Sequence, residues 1–69
     1  MAITIREASV LLGGSEQWVR SLVKRGFFGD AYSTGNKRMT YHIVPGQLAE
    51  YMRISQEELA KRLEEVRNG

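Results

Sequence analysis

The stretch Ser15-Glu16-Gln17-Trp18-Val19-Arg20-Ser21-Leu22-Val23-Lys24-Arg25-Gly26 carries both a start and a stop for one short helix. The Ser15 hydroxyl can accept a backbone N–H left without a partner in the first turn. Gly26 can take the left-handed conformation that ends a helix, because it has no Cβ to clash. Between them Val19, Leu22 and Val23 recur at helical spacing and make one apolar face. Gln17, Arg20, Ser21 and Lys24 point the other way. A helix this short does not persist alone in water, so its apolar face must be covered by other parts of the chain.

The segment before it has the same grammar. Thr4 with Glu7 three residues on predicts a capping box. A first helix then runs from about Ile5 to Leu12, with Ala8, Leu11 and Leu12 inward, and Gly13-Gly14 turns the chain into Ser15. Helix, tight turn and a second helix with a basic outer face is the layout of a helix-turn-helix. After Gly26, Phe27-Phe28 should place one ring in the core and leave the other less buried.

Residues 31–44 read as a two-stranded β-hairpin. Ala31 to Thr34 is the first strand, Gly35-Asn36 the turn, and Met39 to Val44 the return, with Met39, Tyr41 and Ile43 alternating with Thr40 and His42. Lys37 and Arg38 follow the turn, so the hairpin is a basic-tipped wing. Pro45 suits the first turn of a third helix, which carries Leu48, Tyr51 and Met52 on one face. Ser55, with Glu58 three on and an Ile54–Leu59 staple, opens a last helix from Gln56 to about Arg67. Its stripe is Leu59, Leu63 and Val66, and Glu57–Lys61 and Glu58–Arg62 are spaced for ion pairs one turn apart. The expected fold class is α+β: two short helices, a two-stranded wing and two further helices. Residues 1–54 are expected to form a DNA-binding body, and 55–69 a terminal helix that packs on it or meets another protein.

Composition limits what such a chain can do. At 69 residues it holds one small core. It has no cysteine and one histidine, so disulfides and thiolate metal sites are excluded, and no metal or cofactor is expected. Absence of cysteine agrees with a reducing, cytoplasmic setting. No apolar run approaches a membrane span and no secretory leader is evident, so the chain is expected to be complete from Met1 to Asn68-Gly69, with no membrane partner. The net charge of +2 is uneven. The basic excess lies before residue 55, clustered at Arg20 to Arg25 and at Lys37-Arg38, on a helix face and a hairpin tip, which points to nucleic acid. There is no Ser-His-Asp set, phosphate loop or paired-carboxylate cleft, so an enzyme is not expected, nor is a small-molecule ligand.

Taken together, Thr4-Ile5-Arg6-Glu7-Ala8, Leu11-Leu12-Gly13-Gly14-Ser15, Trp18 to Gly26, Gly35-Asn36-Lys37-Arg38 and Ile43-Val44-Pro45 resemble the excisionases. These are small MerR-like winged-helix proteins of phages and integrative elements, also called recombination directionality factors. The resemblance covers residues 3–53. It implies that the second helix enters the major groove of double-stranded DNA and the wing the neighbouring minor groove. It also implies that several copies bind side by side near an attachment site, bend the DNA, and steer an integrase (a tyrosine or serine recombinase) toward excision. Carried over by position, Arg20, Ser21 and Lys24 face DNA from the helix, and Lys37 and Arg38 from the wing. Where relatives often carry basic residues this chain has Glu16-Gln17; a carboxylate there would repel phosphate, or could instead accept from a cytosine amino group. Trp18 replaces a small residue and is read as packing over the turn.

The DNA-binding set is therefore Ser15, Gln17, Arg20, Ser21, Lys24, Arg25, Lys37 and Arg38. For each, the plainer reading is a solvated helix face or hairpin tip; for Arg25 it is service to the helix dipole. Arg6 reads equally as a phosphate contact or plain surface, and His42 as a strand surface residue. Leu59, Leu63 and Val66 either fold back on their own domain, the favoured reading, or form a contact with another copy or the integrase. Two other functions fit the same residues: a compact transcription regulator, and an adaptor or antirepressor that never touches DNA.

Overall fold

The computed structural model describes residues 2–29, 31–35 and 40–69. Its elements run β1 (Ile3–Thr4), α1 (Ile5–Leu12), α2 (Glu16–Lys24), β2 (Tyr32–Thr34), β3 (Thr40–Ile43), α3 (Pro45–Met52) and α4 (Gln56–Asn68). Among the described residues the result is an α+β arrangement of four helices and one three-stranded antiparallel sheet.

Local chemistry sets most of the helix ends. Thr4 Oγ1 accepts from the Glu7 amide at 3.1 Å, and Glu7 Oε1 accepts from the Thr4 amide at 3.0 Å, which completes the capping box. Ser15 and Ser55 cap α2 and α4 in the same way, accepting from the Trp18 and Glu58 amides. Gly13 (φ 72°) and Gly26 (φ 83°) are left-handed where α1 and α2 end. The amides of Gly14 and Phe27 then reach back to the carbonyls of Ser9 and Leu22, using two acceptors the helices would leave open. α3 ends in the same way with an arginine: Arg53 sits at φ 58°, and the Ile54 amide bonds the Ala49 carbonyl.

The sheet departs from the two-stranded expectation. β3 lies in the centre, with β2 on one edge and β1 on the other. Ile3 pairs with Ile43 and Thr4 with His42; Tyr32, Ser33 and Thr34 pair with His42, Tyr41 and Thr40. The physical reason is that a two-stranded ribbon is marginal in water. β1 pairs the second edge of β3 and at the same stroke buries Ile3 completely. Two residues are too few to show a strand period, so no alternation announces this strand.

One core joins helices and sheet. Phe28, Ile3, Ile43, Leu48, Leu59 and Val19 are its largest fully enclosed side chains. Ile5, Ala8, Leu22, Ala49 and Leu63 complete it. α1 packs on both α2 and α4, and α4 also packs on α3. Phe28 is enclosed while Phe27 is 48% exposed, the division expected for that pair. Tyr51, on the same helix face as Leu48, is partly exposed and presents its ring to Phe27 and Phe28 in edge contacts at 6.2 and 5.2 Å.

The turn between α1 and α2 is built around Trp18. Its ring lies against Gly14, where an added Cβ would stand 2.3 Å from Cε3. Trp18 is 40% exposed, so it can swing away. Gly14→Ala is therefore expected to keep the fold and expel the ring into water. Trp18 is the single tryptophan, so a red-shifted emission with stronger acrylamide quenching reports it; an unchanged spectrum would refute the contact.

Candidate nucleic-acid interface

Burial of Val19 and Leu22 fixes the rotation of α2 about its axis. Gln17, Arg20 and Lys24 are consequently exposed, with Ser21 half-buried among them, and these four line one shallow hollow on the outer face. Nine residues make a helix about 13–14 Å long, with a diameter of about 10–12 Å. That matches the width of a DNA major groove, about 12 Å. Ser21 Oγ donates to the Trp18 carbonyl at 2.6 Å, which leaves its lone pairs to accept from a ligand.

The other expected site residues are placed differently. Ser15 spends its hydroxyl as the cap of α2. The Arg25 guanidinium lies over the Phe27 ring, 5.1 Å from its centre, a cation–π contact at the far end of the helix. Lys37 and Arg38 lie outside the described residues, as does Asn36 of the expected turn between β2 and β3. So four of the expected residues share one surface, and two have local tasks.

A second hollow adjoins the first. Arg6 from α1, Glu16 and Arg20 from α2, and Thr40 and Tyr41 from β3 line it. Arg20 belongs to both. Thr40 and Tyr41 were not expected here; their strand neighbours in sequence suggested only alternation. The signal for Arg6 lies in its position: the Thr4 cap sends Ile5 and Ala8 inward, which leaves Arg6 outside.

On the outer sheet face His42 stacks on Tyr32, ring centres 4.9 Å apart, and its Nε2 lies 2.8 Å from the Thr34 hydroxyl. This is the strand-surface position expected for it.

The terminal stripe is mostly taken up by the chain's own core. Leu59 and Leu63 are 1% and 2% exposed, so their side chains are not offered to another protein. Val66 remains half-buried and lines a groove between α1 and α4 with Val10 and Leu11. Arg67 closes this side of the molecule: its Nε donates to Glu7 Oε2 at 2.6 Å and its Nη2 to the Ala2 carbonyl at 3.3 Å. One turn back, Arg62 and Glu58 form a looser pair at 3.8 Å.

The hydrogen bond from Arg67 holds the Glu7 carboxyl below the ordinary glutamate range, outweighing the opposing effect of partial burial. A carboxyl whose folded pKa is depressed contributes stability above its unfolded pKa, about 4.3, and loses it as pH falls through the folded value. Glu7→Gln keeps a capping side chain but removes the charge. The stability gap between wild type and Glu7→Gln should therefore close as pH drops from about 6 to about 3, read by urea unfolding at each pH. A gap independent of pH would show that the pair contributes no charge-linked stability.

Comparison with protein-family models, with curated proteins and with solved structures finds no match for this chain. Among the described residues no helix is long and apolar enough to cross a membrane.

Proposed function

We propose that this protein is a winged helix-turn-helix that binds double-stranded DNA and acts as an excisionase. The observation that carries the reading is the outer face of α2. An apolar side locked into the core leaves Gln17, Arg20, Ser21 and Lys24 together on one outward, groove-sized helix face. Three features support it: the Gly13-Gly14 turn that sets α2 against α1, the sheet beside α2, and the basic Lys37-Arg38 segment between its last two strands. In this reading α2 lies in the major groove and the β2–β3 connection reaches the adjacent minor groove. Affinity comes largely from phosphates and falls steeply with salt. Copies side by side bend the DNA, and the bend adds specificity at untouched positions. An integrase would meet the surface that remains outside, where Val10 and Val66 line the groove between α1 and α4.

A footprint titration over the ends of the element that carries this gene, and over the adjacent promoter, tests the proposal. Neighbouring copies filling in together at an attachment site, with excision by the integrase then depending on the protein, is the expected result. Protection confined to the promoter would favour a transcription regulator, and protection nowhere an adaptor of the antirepressor kind. Arg20→Ala is expected to weaken specific binding by about 1–3 kcal/mol, roughly fivefold to 150-fold, while leaving the fold intact. Unchanged affinity would overturn this docking of α2.

A further inference from the structure

We propose that the hollow between α1, α2 and β3 is a phosphate site, in which Arg6 and Arg20 together grip one phosphodiester of the DNA backbone. The inference rests on the DNA-binding reading above and goes beyond it: it gives Arg6 a task and assigns Arg20 to backbone positioning. The hollow has a volume of about 230 Å³. A liquid water occupies roughly 30 Å³, so a phosphate group fits with part of its hydration. Its walls come from β1, α1, α2 and β3, and packing of α1 on α2 sets the backbone positions from which Arg6 and Arg20 reach it. Among the described residues neither Arg6 nor Arg20 has an ion-pair partner, so both charges are available to a ligand.

The chemistry of the lining selects a phosphate. Two guanidiniums present forked donors that match two oxygens of a tetrahedral anion. Thr40 and Tyr41 line the same hollow; as neighbours on one strand they point to opposite faces, so one hydroxyl at most is offered to it. A single carboxylate, Glu16, opposes them, so the balance of charge in the hollow is positive. Glu7, the other acid near the start of α1, is held by Arg67 on a different side. The backbone of DNA is the source of phosphate because Arg20 also borders the outer face of α2. An anion gripped here lies at the edge of the surface that enters the groove. Such a contact sets register and orientation and carries no sequence information directly.

Glu16 acquires a definite sense in this arrangement. Facing a phosphate, its carboxylate weakens binding; facing a cytosine amino group, it would strengthen it. The two assignments predict opposite signs for Glu16→Gln.

Fluorescence anisotropy with one labelled specific duplex and one unrelated duplex, over a range of salt, tests the site. Wild type, Arg6→Ala and Glu16→Gln are compared, each checked for an unchanged thermal midpoint. Both positions are exposed, so neither change should unfold the chain. Arg6→Ala is expected to lose roughly threefold to tenfold in affinity on both duplexes alike, and to flatten the plot of log affinity against log salt by about 0.9. Glu16→Gln is expected to tighten binding to both. Wild-type binding with Arg6→Ala unchanged in affinity and slope overturns the site and leaves the DNA reading standing. Weaker binding by Glu16→Gln on the specific duplex alone overturns it in favour of a base contact. A wild type that binds neither duplex at low salt overturns both.

Discussion

A chain cut after Ile54 is expected not to fold. Residues 55–69 carry two of the enclosed core side chains, Leu59 and Leu63, and the helix that bears them packs on both α1 and α3. Removing the helix strips the cover from the rest of the core as well as losing those two. Burying one leucine fully contributes about 1.5–3 kcal/mol relative to exposure. A core in a chain of this size rarely supplies more than roughly 3–5 kcal/mol in total. Two leucines alone therefore match the whole margin. Circular dichroism and the chemical-shift spread of the amide protons would show the outcome. A folded, cooperative 1–54 fragment would mean that α4 is an appendage, and would return the helix to the role of a protein-contact arm.

Phe28→Ala is expected to unfold the protein too, whereas Phe27→Ala should leave it folded. The two residues are neighbours with identical side chains, so the pair isolates burial as the variable. Phe28 is the largest fully enclosed side chain and touches the Tyr51 ring. Loss of a buried phenylalanine costs about 3–5 kcal/mol, comparable to the entire stability. Phe27 is about half exposed and contributes mainly its edge contact with Tyr51 and its seat under Arg25. Losing these should cost about 0.5–1.5 kcal/mol. Urea unfolding followed by Trp18 emission separates the two. Similar midpoints for both variants would contradict the division of this pair between core and surface.

What the sequence made legible is what local chemistry decides. Thr4, Ser15 and Ser55 each pair with an amide three residues on, and that spacing is visible in the letters. Gly13 and Gly26 mark helix ends because a left-handed residue without a Cβ is cheap. The end of α3 was harder to see, since Arg53 takes the same conformation against its own preference. Non-local features left weaker traces. Ile3 belongs to a strand only because β3 has an open edge nearby. Ala49 is enclosed on α3, the helix that α4 packs against. The candidate interface divides along the same line. The outer face of α2 follows from helical period, so Gln17, Arg20, Ser21 and Lys24 could be grouped at once. The hollow shared by Arg6, Arg20, Thr40 and Tyr41 needs three elements docked together, and no spacing along the chain encodes that. Ser15 and Arg25 show the opposite limit: both lie in the basic helix segment, but a cap and an aromatic ring occupy them.

The pairing of Ile3 with Ile43, and of Glu7 with Arg67 across 60 residues, also bears on how the molecule comes together in time. The caps form within a single turn and can flicker in and out on their own. The strand at the start of the chain has nothing to pair with until β3 exists. Its neighbouring helix has no lid until nearly the last turn of α4. Because closing a loop costs only about 0.6 kcal/mol more for each doubling of its length, this wait is a matter of order more than of stability. During synthesis the same arrangement makes closure of the fold wait for the last residues of the chain. Fragments that end early cannot form these two pairings, so truncated products should be left open to proteolysis.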